Sequence, residues 1–207
     1  PRPAPLDWAE QEFGGCELPD ARLQARLLTM ARDFYGRPTA SLTQACSSRA
    51  KTKAAYRFLD HEHTTMDTLL QPHYRATQAR LRDEQVVLAV QDTSSLNYTA
   101  HVATEGLGPI GSTAQGPQGL HLHSTLAFTA EGLPLGVLDA RLQAPPARAA
   151  DDQRPSASVP IEDKKTFDWI HGLRQCEQAA SRMPQTRVVS VMDREADFFE
   201  LFDEQRR

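Results

Sequence analysis

Two short apolar runs of strand length are each followed by an aspartate. Residues 86–90 (Val-Val-Leu-Ala-Val) precede Asp92, and residues 188–191 (Val-Val-Ser-Val) precede Asp193. Continuous apolar runs of this length are typical of strands buried on both faces, so we expect each aspartate at a strand end where the sheet opens to solvent. Carboxylate oxygens at one edge of a sheet suit Mg²⁺ or Mn²⁺. The pattern predicts a metal centre at Asp92 and Asp193.

Strict alternation predicts a third strand over residues 120–129. Its apolar positions are expected to face the core, with His121 and His123 on the solvent face. A metal-binding role for the two histidines is an alternative. A turn follows, and residues 135–142 are predicted to return as an antiparallel partner, which makes the sheet mixed. The apolar positions are Leu120, Leu122, Leu126 and Phe128.

Helical periodicity dominates the first third of the chain. Helices are predicted to begin after Asp7 and after Asp20, whose carboxylates can accept hydrogen bonds from first-turn amides. Residues 39–59 are predicted to form two short helices with a break at Ser47–Ser48. A longer helix is expected over residues 64–83, with the domain boundary along it.

The rest of the chain mixes strands with helices. Helices are predicted over residues 161–183 and 195–207, and an irregular proline-rich loop over residues 144–160. The expected fold class is therefore α/β. A small all-α head at residues 1–75 is followed by a mixed-sheet domain at residues 76–207.

Charge is distributed unevenly along the chain. The net charge is −4, yet residues 21–57 hold eight basic side chains and one acidic side chain. A basic module of this kind favours a polyanion partner, and a basic second helix after a polar break is compatible with docking in the major groove of DNA. A solvated helix face is the alternative. The candidate DNA-binding residues are Arg22, Arg26, Arg49, Lys51, Lys53 and Arg57.

Composition excludes several classes of protein. With 207 residues and a mean hydropathy of −0.52, the chain contains no apolar run near the ~20 residues of a membrane span. No signal peptide precedes the first helix, so a cytoplasmic location without a membrane partner is expected. Three distant cysteines, Cys16, Cys46 and Cys176, indicate neither a disulfide framework nor a zinc site.

Several stretches together are similar to one family of enzymes. The two aspartate strands, the loop between them and the helical head resemble bacterial insertion-sequence DDE transposases, of the branch that contains the transposon-five transposase. Coverage extends over nearly the whole chain, and the Asp-Arg-Glu-Ala-Asp run that begins at Asp193 is its most specific part. The stretches are LDWAEQEF, DARLQARLL, AAYRFLDHEHTT, QDTSSLNY, LGPIGS, IEDKKTFDWI and VVSVMDREADFFELF.

The resemblance implies an RNase H-like catalytic core that cuts and joins DNA with two divalent ions, Mg²⁺ or Mn²⁺. By family, Asp92 and Asp193 are the first two of three acidic ligands. The third is a glutamate expected on a helix beyond Arg207, so the chain is expected to be an amino-terminal portion that does not cut DNA alone. Residues expected to support the ligands are Thr93, Arg194, Glu195 and Asp197.

The partners implied by the resemblance are double-stranded transposon ends and target DNA, a homodimer formed through regions beyond this chain, and the bacterial nucleoid when DNA is bound. Three other hypotheses remain open at this point. The first is a truncated DNA-binding regulator of transposition that does not cut DNA. The second is a metal-dependent nuclease or an RNase H that acts on hybrids. The third is an α/β domain whose aspartates only cap strand ends.

Overall fold

The computed structural model describes residues 7–111, 116–146 and 158–206. The chain divides into two compact units, Pro1–Ala76 and Thr77–Arg207, and the division falls inside one helix. Most of the proline-rich loop predicted over residues 144–160 lies outside the described residues. No helix in the described part of the chain combines the length and apolar character needed to cross a membrane.

The first unit is helical, as the periodicity predicted. The carboxylate of Asp7 accepts a hydrogen bond from the Glu10 amide at 2.9 Å, and Asp20 accepts one from the Arg22 amide at 2.7 Å. These bonds satisfy amides that have no partner within a helical first turn. Pro72 lies inside the last helix and does not mark its start. The helices are α1 (Trp8–Phe13), α2 (Ala21–Tyr35), α3 (Leu42–Ala45), α4 (Arg49–Leu59) and α5 (Met66–Leu81).

The break between α3 and α4 is a tight turn. Ser47 has a φ of 55°, which lies in the left-handed region that few non-glycine residues adopt. The Ser48 hydroxyl then accepts a hydrogen bond from the Lys51 amide at 3.2 Å and begins α4. Helices α2 and α4 pack against each other and form a small apolar core. Its buried members are Leu27, Met30, Cys46, Ala55 and Phe58.

The second unit is built on a five-stranded mixed sheet. In this sheet β3 pairs antiparallel with β1, β2 and β4, and β1 pairs parallel with β5. Two 3-10 turns, at Ile161–Asp163 and Arg194–Ala196, precede the two helices, which therefore begin later than the sequence predicted. The elements are β1 (Val86–Asn97), β2 (Gly108–Pro109), β3 (Gln118–Thr129), β4 (Pro134–Gln143), α6 (Phe167–Ser181), β5 (Arg187–Val191) and α7 (Phe199–Glu204).

The expectation that Asp92 ends its strand is wrong. Strand β1 continues to Asn97 because β3 pairs with it along its whole length, with Asp92 opposite Ser124. The expected burial on both faces is also wrong. Along β1 buried and half-buried residues alternate as far as Gln91, and on β5 the side chains of Val189 and Val191 are exposed.

The prediction for the faces of β3 is reversed in the structure. His121 and His123 are buried, with exposed fractions of 5% and 1%, while the leucines between and beyond them are only half-buried. Helix α6 covers this polar face and packs the Trp169 ring edge-on against His123, with centroids 4.8 Å apart. Burial of the two histidines is tolerated because each has a hydrogen-bond partner on β1: Ser95 Oγ lies 3.2 Å from His121 Nδ1, and Thr93 Oγ1 lies 2.7 Å from His123 Nδ1.

Candidate nucleic-acid interface and metal centre

A groove of about 650 Å³ runs between α2 and α4 in the first unit. Its floor includes Leu23 and Phe58, and basic side chains surround it. We refer to this surface as the basic groove. One carboxylate, Asp20, also lines it, and its basic side chains are Arg22, Arg26, Lys53, Arg57 and His61.

The helical period explains why these cations converge. Arg22 and Arg26 are four residues apart on α2, and Lys53 and Arg57 are four apart on α4, so each pair lies on one helix face. The buried side chains of the same helices, such as Phe58 with an exposed fraction of 1%, hold the two helices in the apolar core and thereby fix the positions of the basic side chains. The amphipathic pattern therefore places two basic rows side by side.

The charges in the basic groove are not equally available. The Arg22 guanidinium lies 2.7 Å from the Asp20 carboxylate and, with the Arg22 amide, holds the pKa of Asp20 below its ordinary value. Among the described residues, no carboxylate forms an ion pair with Arg26, Lys53 or Arg57. These three side chains carry the uncompensated positive charge of the groove.

Two of the predicted DNA-binding residues lie outside the groove. Lys51 is half-buried, and its Nζ atom lies 2.7 Å and 2.9 Å from the two carboxylate oxygens of Asp33, so it ties α4 to α2. Arg49 is exposed at the first position of α4. Four of the six predicted residues are thus brought together, while Lys51 is held in an ion pair.

In the second unit, Asp92 and Asp193 occupy matching positions. The parallel pairing of β1 with β5 ends at Val90 opposite Val191, and each aspartate follows two residues later. Both aspartates are exposed. The sequence analysis expected the two aspartate strands in one sheet, and in the structure these strands pair directly. Convergence of the two carboxylates on one ion stays a prediction.

The Asp193 side chain also has a structural role. Its Oδ1 atom accepts a hydrogen bond from the Glu195 amide at 2.7 Å and caps the 3-10 turn that follows β5. The Glu195 carboxylate lies 3.1 Å from Lys165 Nζ. Arg194 and Asp197, which were also expected near the ligands, are exposed. The cap limits the rotamers of Asp193 and leaves its Oδ2 atom outside this hydrogen bond.

The donor chemistry of the two aspartates fits a magnesium ion. Mg²⁺ is commonly held by one or two carboxylates, together with water and substrate phosphate oxygens. Within residues 7–111, 116–146 and 158–206, no group of three or more His, Cys, Asp or Glu side chains is arranged to hold a metal. That Asp92 and Asp193 hold an ion stays a prediction.

Behind Asp92 lies a buried hydrogen-bonded chain that the sequence did not predict. His123 Nδ1 lies 2.7 Å from Thr93 Oγ1, and His123 Nε2 lies 3.2 Å from Gln91 Oε1. The Gln91 amide nitrogen donates to Ser190 Oγ at 3.0 Å. Burial lowers the pKa of His123 to about 4, so its imidazole is neutral near pH 7. We call these four side chains the His123 chain.

The orientation of the Gln91 amide determines which ring nitrogen of His123 carries the proton. The Gln91 amide nitrogen donates to Ser190, so its carbonyl oxygen faces His123 and accepts from Nε2. The Nδ1 atom then accepts a hydrogen bond from the Thr93 hydroxyl. The sequence contained only a partial signal. His121 and His123 alternate with leucines on β3, but Asp92 and Ser94 stand next to Thr93 on β1, so no polar face could be distinguished on that strand.

One comparison with known proteins concerns the first unit. Residues 5–64 match the family model described as transposase DNA-binding. The matched segment contains α1 to α4 and all the basic side chains of the basic groove. The match supports a transposase-type amino-terminal region with DNA as its partner.

Proposed function

We propose that this chain binds the double-stranded ends of a transposon through the basic groove, and that its second unit is part of an RNase H-like transposase core. The observation that carries the proposal is the location of Arg26, Lys53 and Arg57, which lie together on one surface within residues 5–64. A transposase both binds and cleaves DNA. In this proposal the basic head serves DNA binding, and the paired aspartates belong to the site of cleavage.

The basic groove would act mainly on the phosphate backbone. Arginine and lysine side chains that contact phosphates release condensed counterions, which supplies affinity and fixes the orientation of the duplex. Helix α4 has an exposed basic face that begins at Arg49, so we assign it as the helix that enters the major groove. Lys51 would stabilise the helix pair through Asp33 and would not contact DNA.

In the second unit, Asp92 and Asp193 would hold Mg²⁺ or Mn²⁺. Bound divalent ions would lower the pKa of the attacking water and stabilise the leaving 3′ oxygen of the cleaved strand. The protein's own contribution is positioning. Residue pairing between β1 and β5 brings the two aspartates to the same level, and the hydrogen bond from the Glu195 amide orients Asp193.

Fluorescence anisotropy of a labelled random-sequence duplex tests the DNA-binding part of the proposal. We expect saturable binding that weakens steeply with salt, and loss of most of this binding on combined substitution of Arg26, Lys53 and Arg57 by alanine. Binding that is independent of salt would contradict the proposal.

Manganese titration tests the metal part. The electron paramagnetic resonance signal of free Mn²⁺ should decrease as the 207-residue chain is added, and Asp92→Ala or Asp193→Ala should each weaken this binding. A DNA-binding regulator that does not cut DNA would use the same basic groove. Retention of DNA binding with no metal site at Asp92 or Asp193 would favour that regulator.

A further inference from the structure

Strand geometry separates Asp92 from its two neighbours. Successive side chains of a strand point to opposite faces, so Gln91 and Thr93 share one face of β1 and Asp92 lies on the other. Gln91 has an exposed fraction of 2%, and Asp92 is exposed. The direction of the Asp92 side chain therefore depends on how the strand segment from Gln91 to Thr93 is held.

A single imidazole holds both sides of this segment. Thr93 Oγ1 lies 2.7 Å from Nδ1 of His123, and Gln91 Oε1 lies 3.2 Å from Nε2. A neutral imidazole offers one acceptor and one donor, and these two bonds use both. In the pairing of β1 with β3, His123 lies opposite Thr93, the residue that follows the proposed ligand Asp92.

The same chain of bonds reaches the strand that carries the second aspartate. Gln91 Nε2 donates to Ser190 Oγ at 3.0 Å, and Ser190 lies on β5, three residues before Asp193. The bonds therefore connect β3 to β1, which carries Asp92, and to β5, which precedes Asp193. A substitution at His123 would therefore affect the positions of both β1 and β5.

Packing by α6 restricts the His123 chain further. The Trp169 ring lies edge-on to the His123 ring, and both residues have exposed fractions of 1%. Gly172 brings the helix so close that a Cβ atom at this position would collide with Gln91 Oε1. These contacts leave Gln91 and His123 little freedom to move.

We propose that His123 is a positioning residue of the metal centre: by hydrogen-bonding both residues that flank Asp92, it fixes the direction of the Asp92 carboxylate toward the ion. This inference rests on the proposed metal site at Asp92 and Asp193. Substitution of residues that orient the ligands of a metal typically weakens metal affinity on the order of 10- to 100-fold.

The test compares Mn²⁺ affinity with thermal stability in the 207-residue chain. Thr93→Val removes the hydroxyl with little change of shape, Thr93→Ser retains it, and His123→Phe keeps a flat ring without either bond. Thr186→Val is the matched control, because Thr186 is also buried in the second unit and its hydroxyl donates to the Leu81 carbonyl at 3.2 Å. Free Mn²⁺ is measured by electron paramagnetic resonance, and unfolding by circular dichroism.

We expect Thr93→Val and His123→Phe to weaken Mn²⁺ binding on the order of tenfold, and Thr93→Ser to retain most of it. Thr186→Val should lower the unfolding temperature without changing Mn²⁺ affinity. If His123→Phe does not fold, the Thr93 pair decides the outcome.

Two results overturn the inference and can be told apart. If Asp92→Ala weakens Mn²⁺ binding while Thr93→Val and His123→Phe do not, the metal site stands and the positioning role of His123 is wrong. If Asp92→Ala itself leaves Mn²⁺ affinity unchanged, the proposed metal site is wrong, and the positioning role of His123 is wrong as well.

Discussion

Lys51 and Asp33 form an ion pair, with Lys51 Nζ 2.7 Å from Asp33 Oδ1, that joins α4 to α2 across the first unit. Asp33 is the one acidic residue among the eight basic residues between positions 21 and 57. The pair shows that at least one cation of the basic stretch has a structural role. Their separation follows from the geometry of the helices, since Lys51 faces α2 and the basic groove lies along another face of α4.

We expect Lys51→Ala to destabilise the first unit and to leave the salt dependence of DNA binding nearly unchanged. The loss should be about 0.5–1 kcal/mol, because both side chains are partly exposed and solvent screens the pair. Urea unfolding measures the first quantity, and a salt series of DNA affinities measures the second. In a double-mutant cycle with Asp33→Asn, the two effects on stability should not add. A flatter salt dependence for Lys51→Ala would place Lys51 in the DNA interface.

Stability of the second unit should fall as the pH is lowered. Burial depresses the pKa of His123 to about 4 in the folded protein, whereas an unfolded histidine titrates near pH 6.5. Between these values the unfolded state binds a proton that the folded state does not. His123 therefore contributes stability that is complete above about pH 6.5 and is lost as the pH falls toward 4, in total about 3 kcal/mol.

Urea unfolding at a series of pH values checks this prediction. In a Trp8→Phe background, Trp169 is the sole tryptophan and its fluorescence reports the second unit. His123→Phe should lower stability at pH 7 and flatten the decline between pH 6.5 and 4. The same slope in both proteins would show that His123 is not the residue that titrates.

Gly172 is expected to be replaceable only when Gln91 becomes smaller. Alanine has a higher helix propensity than glycine, but the added methyl group would collide with Gln91 Oε1. Gly172→Ala should therefore lower the free energy of unfolding by about 1–3 kcal/mol. In a Gln91→Ala background the collision with Oε1 is removed and Thr125 Oγ1, 3.2 Å from the added Cβ atom, becomes the nearest neighbour, so the same substitution should cost less. Equal losses of unfolding free energy in both backgrounds would contradict the close approach of α6 to β1.

Local signals predicted much of this fold. Asp7, Asp20 and the break at Ser47–Ser48 were predicted correctly because a cap or a turn depends on neighbouring residues. The caps and the turn require no knowledge of distant contacts. The expectation that β1 and β5 lie in one sheet rested on two similar runs, each with an aspartate two residues beyond it, and also on the family resemblance.

The errors concern contacts between residues far apart in the chain. Alternation predicted the strand β3 but not which face is buried, since both faces carry side chains that a core can accept. His123 is buried because Thr93, Gln91 and Trp169, which lie 30 to 46 positions away, supply hydrogen bonds and packing. The ion pair of Lys51 with Asp33 was not predicted either, because the two residues lie 18 positions apart on different helices.

The most direct test of the account compares two triple-alanine variants in a salt series of duplex DNA affinities. One variant replaces Arg26, Lys53 and Arg57 in the basic groove, and the control replaces Arg82, Arg182 and Arg187, three exposed arginines of the second unit. Both variants lose the same net charge. The account predicts that the groove variant loses about 2 to 3 units from the slope of log affinity against log salt, while the control keeps the slope of the unsubstituted chain. Equal slopes for the groove variant and the unsubstituted chain would contradict DNA binding through the basic groove.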